Sequence, residues 1–265
     1  MALYVPRTTI GEALPAAVSE ALWSSIPGEE LVREIPSLYS WLDGSVTPNG
    51  SGVYADRGPQ GNNWIQATAL NRPAQLSNWH GSGQNAFNFP NSAGISIGPN
   101  FHMPVGAMSI AVVFDINAAL ATNDNANHPL FGSALSAANS WMLSLYNNAM
   151  GASFAGGYIL LTSAALAVNA PHSLILSIGP VTNALAMQID GGTWQTVAAV
   201  SSINGSGLPL DTTGLLGLAN WLATSYYYGA VAMIQVHNTE LYDTPEATNL
   251  ALLHSWMSAK YGATL

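Results

Sequence analysis

The chain has 265 residues, 49% apolar and only 7% charged, with five basic side chains against fourteen acids and a formal net charge of -9. The bases Arg7, Arg33, Arg57, Arg72 and Lys260 are too few and too scattered to build a phosphate-neutralising patch, which excludes nucleic acid and anionic membranes as partners. Charge this far below the roughly 25% of an average soluble protein implies a neutral surface that loses little when covered, and so favours an oligomer or larger assembly.

In chain order, residues 1–36 differ from the rest, holding five of the fourteen acids and broken by Pro6, Pro15, Pro27 and Pro36. Ala16, Ala17, Val18, Ala21 and Leu22 suit a short amphipathic helix. Spaced prolines prevent such a segment from burying its own apolar set, Leu3, Tyr4, Val5, Leu14, Val18, Leu22 and Trp23. The segment reads as an assembly arm or docking segment, with a strand and helix folded back on the body as the alternative. The first residues lack the basic start and apolar run of a secretory signal, so a cytosolic site of synthesis is expected. Residues 37–265 then form the second unit.

From Ser37 to His80 the chain is rich in Gly, Asn, Pro and Ser, with isolated aromatics at Trp41, Tyr54, Trp64 and Trp79. Such a pattern predicts short strands joined by ordered loops. Further strands are predicted over 109–116, 141–146, 158–162, 173–178, 184–189, 194–200, 214–218 and 229–237. Asp190-Gly191-Gly192 is a hairpin turn by composition, since glycine supplies positive φ. Many short antiparallel strands at this spacing predict an all-β sandwich. The end differs. Thr244-Pro245-Glu246 reads as cap, first-turn proline and dipole-complementing acid, followed by an apolar face of Leu250, Leu253 and Met257, with Lys260 in the last turn and Gly262 as the stop. One C-terminal α-helix should therefore pack on the sandwich. The most apolar run, 158–168, is too short for a membrane-spanning helix.

Several segments, in this order, carry a family resemblance: Tyr39-Ser40-Trp41-Leu42-Asp43, Asp56-Arg57-Gly58 with Gly61-Asn62-Asn63, Asn71-Arg72-Pro73, Asn85-Ala86-Phe87-Asn88-Phe89, Ser109-Ile110-Ala111-Val112-Val113-Phe114, and Ala232 to Asn238 before the helix ending Lys260-Tyr261-Gly262. Together they resemble the concanavalin A-like or laminin G-like lectin-glucanase superfamily, in its single-domain phage-type versions. The resemblance implies a jelly-roll sandwich. It departs at the glucanase motif Glu-x-Asp-x-x-Glu, which is missing; Glu240, Asp243 and Glu246 are the nearest acids and read better as a solvated loop and helix start. Lectin relatives also bind calcium through loop carboxylates. Asn123, Asp124, Asn125 and Asn127 offer a single carboxylate, weak ligation for a hard dication, so an Asn-rich loop is the preferred reading and no metal or other cofactor is expected.

Other signals carry little chemistry. Gly94-Ile95-Ser96-Ile97-Gly98 matches a nucleophile elbow, but Pro99-Asn100 follows where a helix is required. His80, His102, His128, His172, His237 and His254 lack metal-site spacing, cysteine is absent, and Gly81-Ser82-Gly83 and Gly205-Ser206-Gly207 are loop glycines. Trp221 with Tyr226, Tyr227 and Tyr228 forms the candidate surface for stacking on a sugar or filling a partner subunit, with core packing as the alternative. The leading expectation is a non-enzymatic bacteriophage virion protein: a capsid decoration (cement) protein or a head or tail fibre attachment domain. Its partners would be other copies of itself and virion proteins such as the major capsid protein, and it would be made in host cytoplasm. A carbohydrate-binding module or lectin is the main alternative, and a glycan-active enzyme the third.

Overall fold

The computed structural model describes residues 29–90, 95–100, 104, 107–117, 128–133, 141–146, 148–154, 161–179, 182, 184–198, 214–216 and 227–262. After helix α1 (Glu29–Arg33) come β1 (Leu38–Asp43), β2 (Val53–Tyr54), β3 (Trp64–Ile65), β4 (Ala74–Leu76), β5 (Ala86–Pro90), β6 (Gly98–Pro99) and β7 (Met108–Phe114). Then follow β8 (His128–Ser133), β9 (Trp141–Tyr146), β10 (Ala149–Phe154), β11 (Leu161–Ala165), β12 (His172–Gly179), β13 (Ala184–Ile189), β14 (Gln195–Ala198), β15 (Gly214–Leu216), β16 (Tyr228–His237) and helix α2 (Ala247–Tyr261). Among the described residues every strand pairing is antiparallel. An eight-stranded sheet runs β14-β13-β12-β7-β16-β5-β4 with β1 also on β16, a five-stranded sheet runs β11-β10-β9-β8-β15, and β2-β3-β6 make a small third sheet. The protein is thus an all-β sandwich with a C-terminal helix.

The central strands are buried on both faces, which is why they read as near-continuous apolar runs. Ile110, Val112 and Phe114 of β7 point into the core between the sheets, whereas Ala111 and Val113 point outward beneath the helices. On β16, Val231, Ile234 and Val236 face the inter-sheet core; a register shift between Val231 and Met233 turns Ala232 and Met233 together toward the helices. The small residues of β7 and β16 on that outer face leave room for α2 to lie close.

The sequence-predicted helix forms, with a shifted start. Asp243, not Thr244, caps the 3-10 turn Thr244–Glu246 that leads into α2: its Oδ1 accepts from Thr244 N at 2.8 Å. Gly262 ends the helix in the left-handed conformation at φ 64°. Leu253, Trp256, Met257, Lys260 and Tyr261 are buried, a stripe at i, i+3, i+4, i+7 and i+8, while Leu250 is half-buried. The turn before the helix is pinned to the sheet by two buried serines on neighbouring strands. Ser109 Oγ accepts from Leu241 N at 2.8 Å and Ser177 Oγ accepts from Tyr242 N at 3.2 Å.

Between the helices and β1 lies a buried ionic cluster. Lys260 Nζ donates to Glu29 Oε2 and Asp43 Oδ2, both at 3.0 Å, and Arg57 bonds Glu29 Oε1 and Asp43 Oδ2, the latter at 2.9 Å. Tyr261 Oη donates to Asp43 Oδ2 at 2.7 Å, and Ser45 Oγ to Oδ1 at 2.6 Å. The rings of Trp41, Trp256 and Tyr261 surround the ammonium at 5.4, 5.1 and 5.3 Å. Although burial penalises its charge, the adjacent Lys260 and Arg57 hold Asp43 well below the usual carboxylate range. Two anions and two cations balance, so no buried charge is left uncompensated.

This cluster moves the boundary expected at residue 36. Glu29, Val32 and Ile35 are buried against α2 and the sheet, so the last part of the expected arm belongs to the packed body. Residues 1–28, with Leu3, Tyr4, Val5, Leu14, Val18, Leu22 and Trp23, lie outside the described residues.

Two substitutions test this layer by denaturant unfolding. Leu253→Ala is expected to cost on the order of 2 to 5 kcal/mol. Lys260→Ala is expected to cost about 3 to 5 kcal/mol, because Glu29 and Asp43 would then share one cation out of reach of water. A midpoint unchanged in either variant would place that side chain outside the core.

Candidate functional site

Beyond the last residue of β7, Asp115 organises one end of the eight-stranded sheet. Its Oδ2 accepts from Trp79 Nε1 at 2.7 Å and from His80 Nε2 at 2.8 Å, and its Oδ1 accepts from Ala230 N at 2.6 Å. Its backbone carbonyl accepts from Tyr227 Oη. The loop carrying Trp79 and His80 is made left-handed by Asn78 (φ 50°), His80 (φ 49°), Gly81 (φ 75°) and Gly83 (φ 75°). For the two non-glycine residues this costs of order 1–3 kcal/mol each and persists only where surroundings enforce it. They do so here: Asn78 Oδ1 accepts from Gly83 N at 2.9 Å, Trp79 N donates to Gln84 O at 2.7 Å, and Ser82 Oγ donates to Trp79 O at 2.6 Å. The loop thereby buries the Trp79 ring while presenting the His80 imidazole at the surface.

His80 opens onto a cleft of about 490 Å³, bounded by the His80–Ser82 loop, Pro171 and the last turn of α2 through Gly262. A carboxylate accepts, so the ring proton facing Asp115 Oδ2 sits on Nε2, and Nδ1 is the nitrogen left over, an acceptor in the neutral form of the ring. Among the described residues nothing bonds Nδ1. Past Ser258, whose carbonyl accepts from Gly262 N at 3.0 Å, the final carbonyls of α2 lie at the negative end of the helix dipole, so this cleft is acceptor-rich.

A second histidine stands nearby. His172, at the start of β12 beside Pro171, directs Nδ1 to Asp190 Oδ2 and Nε2 to Ala167 O, both at 2.7 Å. Although burial opposes its charge, hydrogen bonds to Asp190 and Ala167 and the nearby Asp115 raise its pKa above the ordinary 6.5.

The acids of the strand-to-helix junction do not converge. Glu240 is buried, in contrast to the solvated setting expected for it, accepting from Thr182 N at 2.9 Å and from Thr182 Oγ1. Gly179 passes so close that a Cβ there would fall 2.2 Å from Glu240 Oε1. Asp243 caps the 3-10 turn before the helix, and Glu246 accepts from Asn249 Nδ2 at 2.8 Å. Among the described residues no three histidines or acids are placed to hold a metal ion. Gly98–Pro99 is strand, as expected of the segment resembling a nucleophile elbow. His237 is sealed beneath the helices between Ser37 and Gln235.

The aromatic candidate surface is corrected in part. Tyr227 is core, 1% exposed, because its ring packs with Phe89 and its hydroxyl is drawn inward to Asp115 O. Tyr228 is half-buried against the same core. Trp221 and Tyr226, and the loop of Asn123, Asp124, Asn125 and Asn127, lie outside the described residues. Sequence reasoning passed over the His80–Asp115 pair. Its one local trace is the dense turn composition of Asn78-Trp79-His80-Gly81-Ser82-Gly83, since the aspartate arrives from 35 residues away.

No family model and no curated protein matches the chain. Solved structures do. The binding domain of Paraclostridial Mosquitocidal Protein 1 superposes with a TM-score of 0.62 at 11% identity, covering 85% of this chain and 53% of that one. The binding domain of botulinum neurotoxin serotype D gives 0.56 at 13% identity, covering 83% and 51%. A Trypanosoma rangeli sialidase gives 0.57 at 14% identity, covering 86% and 34%. The chain therefore spans about half the length of each toxin binding domain and about a third of the sialidase. At these identities the likeness is one of fold, an antiparallel β-sandwich.

Burial of His237 sets an acid limit. Desolvation pushes its pKa down to about 3, from 6.5, so the folded state holds it neutral while the unfolded chain takes up a proton below pH 6.5. Stability from this group is thus full above pH 6.5 and declines as pH falls toward 3, by up to about 1.4 kcal/mol per unit. Thermal melts between pH 7 and 4 should show this decline, and His237→Gln should flatten it. Equal slopes in the two proteins would show that His237 is not the group responsible.

Proposed function

We propose that the chain is a non-catalytic lectin-type module that binds a neutral, hydroxyl-rich glycan in the His80 cleft. The observation that carries this reading is the fixed His80 imidazole. Asp115 sets its tautomer and the left-handed loop sets its direction, so Nδ1 is a pre-oriented acceptor for a sugar hydroxyl, the kind of convergent polar group on which orientation in a ligand site depends. The carbonyls at the end of α2 add acceptors on the opposite wall. Asp115 and the helix dipole make the site unfavourable for a carboxylated sugar. Lys260, although its backbone lines the cleft, turns its ammonium away to Glu29 and Asp43.

The non-catalytic part of the reading is supported by where the acids are used. Asp43, Asp56, Asp115, Asp190 and Glu240 each already accept from structural donors. A glycoside-hydrolysing pair instead needs two carboxyls facing one substrate, about 5–9 Å apart.

A second reading, a capsid decoration or fibre attachment protein of a phage particle, is favoured by the surface. Arg57 and Lys260 are buried, which withdraws two cations from a surface already poor in them. Leu70, 89% exposed, stands on that surface. Such a face suits coverage by a neighbouring subunit.

A glycan array with neutral and sialylated ligands tests the first reading. Neutral glycans should be retained, His80→Ala should weaken them about tenfold or more, and no reducing ends should be released. Preference for sialylated ligands, or binding indifferent to His80→Ala, would remove the cleft from the account. Turnover would remove the non-catalytic reading.

A further inference from the structure

His172 stands where the β12–β13 ladder ends, and it ties the sheet-crossing segment to the turn that follows β13. Its ring lies where the polypeptide leaves β11 in one sheet and enters β12 in the other. The crossing segment 166–171 is tied by Leu166 N to Asn148 O at 2.8 Å, by Asn169 N to Ile116 O at 2.7 Å, and by Ala167 O to the imidazole. Asn169 adopts a left-handed φ of 54°. On the other side of the ring, Asp190 begins the β13–β14 hairpin turn, itself left-handed at φ 49°, and its Oδ1 accepts from Ser173 N at 2.8 Å.

Both nitrogens of this imidazole face groups that only accept. A backbone carbonyl has no proton to give, and neither has an ionised carboxylate. A neutral imidazole carries one N–H and satisfies one of the two, leaving a ring lone pair against an oxygen at 2.7 Å. An imidazolium satisfies both. The ring is nearly buried, its side chain 6% exposed, so water does not readily replace the missing bond.

We propose that His172 is a proton-dependent latch: as the imidazolium it fastens the sheet-crossing segment to the β13–β14 turn, and on losing its proton it releases that segment together with Pro171, one wall of the His80 cleft. The groups facing it are Asp190 from the end of β13, Asp115 from the end of β7, and the Phe114 ring at 5.8 Å; His80 lies on the far side of Asp115. The two aspartates act in the same sense, favouring the charged ring. The linkage sign follows from the raised pKa. Latch stability is fully present below the unfolded value of 6.5 and is lost as pH rises through the folded value. That the latch governs a ligand site rests on the carbohydrate-binding reading; the latch itself does not.

The test uses the full chain without any glycan. NMR titration of the imidazole protons gives separate midpoints for His172 and His80. Hydrogen exchange at the Asn169 amide, corrected for the intrinsic pH dependence of exchange, reports the crossing segment. His172 should titrate above 6.5, and Asn169 protection should fall with the same midpoint, by about tenfold for each unit by which the latched pKa exceeds the open one. Asp190→Asn should lower both midpoints together, and His172→Gln should abolish the step. A His172 midpoint at or below 6.5, Asn169 protection that stays flat, or protection that follows His80 instead would each overturn the latch. A null glycan array would leave these readouts intact, so failure of the function and failure of the latch are distinguishable.

Discussion

Asp43 accepts from two cations, a phenol and a serine in a space closed to water, and the placing of both helices follows from that one carboxylate. Lys260 reaches it from the last turn of α2 and Arg57 from the loop after β2, while Glu29 of α1 closes the ring between the two cations. Separations of 217 and 231 residues in sequence are bridged by single hydrogen bonds. Apolar packing alone would let a helix slide on a sheet face made of small residues, because dispersion is not directional. A cluster whose members each lose several kcal/mol of hydration unless correctly met allows little displacement. It therefore sets the register of α2, and with it the position of the helix end that forms one wall of the cleft.

The same cluster changes the meaning of the composition. A chain with five basic residues has little charge to place, yet two of them are inside. Low charge is thus not evenly shared between interior and surface; the surface carries fewer charges than the composition suggests, with the excess of acids left on it. Recognition by such a surface depends on hydrogen-bond direction and fit more than on long-range attraction. An Asp-oriented imidazole beside helix-end carbonyls is a means of recognition suited to an uncharged partner.

What was legible in the sequence was what neighbouring residues determine. The end of α2 at Gly262, the hairpin at Asp190-Gly191-Gly192 and the runs of β7, β12, β13 and β16 all follow from local periodicity and turn chemistry, and the structure places them accordingly. What distant partners decide was not legible. Lys260 looks like a solvated last-turn base, but is buried because Asp43 and Glu29 wait beneath it. Glu240 looks like a junction acid, but is buried because Gly179 leaves it room and Thr182 satisfies it. Tyr227 sits in a tyrosine run suggestive of an exposed platform, and only the carbonyl of Asp115 draws it inward. The break at Pro36 was real in composition, yet the apolar spacing of Val32, Ile35 and Leu38 runs across it into β1.

The cleft end differs from the ionic cluster in one respect that bears on function. In the cluster no charged side chain is more than 8% exposed, and every partner is another part of the same fold. At the cleft end the side chains of His80 and Asp190 are each 23% exposed and that of Asp115 is 14%. There the ladders stop, Asp115 and Asp190 lie just past the ends of their strands, and the chain crosses between sheets, so backbone groups must be met by side chains instead of neighbouring strands. Polar residues placed for that structural reason remain in contact with water, and water can be exchanged for a ligand. The sandwich thus concentrates directional, partly hydrated hydrogen-bonding groups where its regular pairing ends, and a binding site at that end needs no residues beyond those the fold already requires.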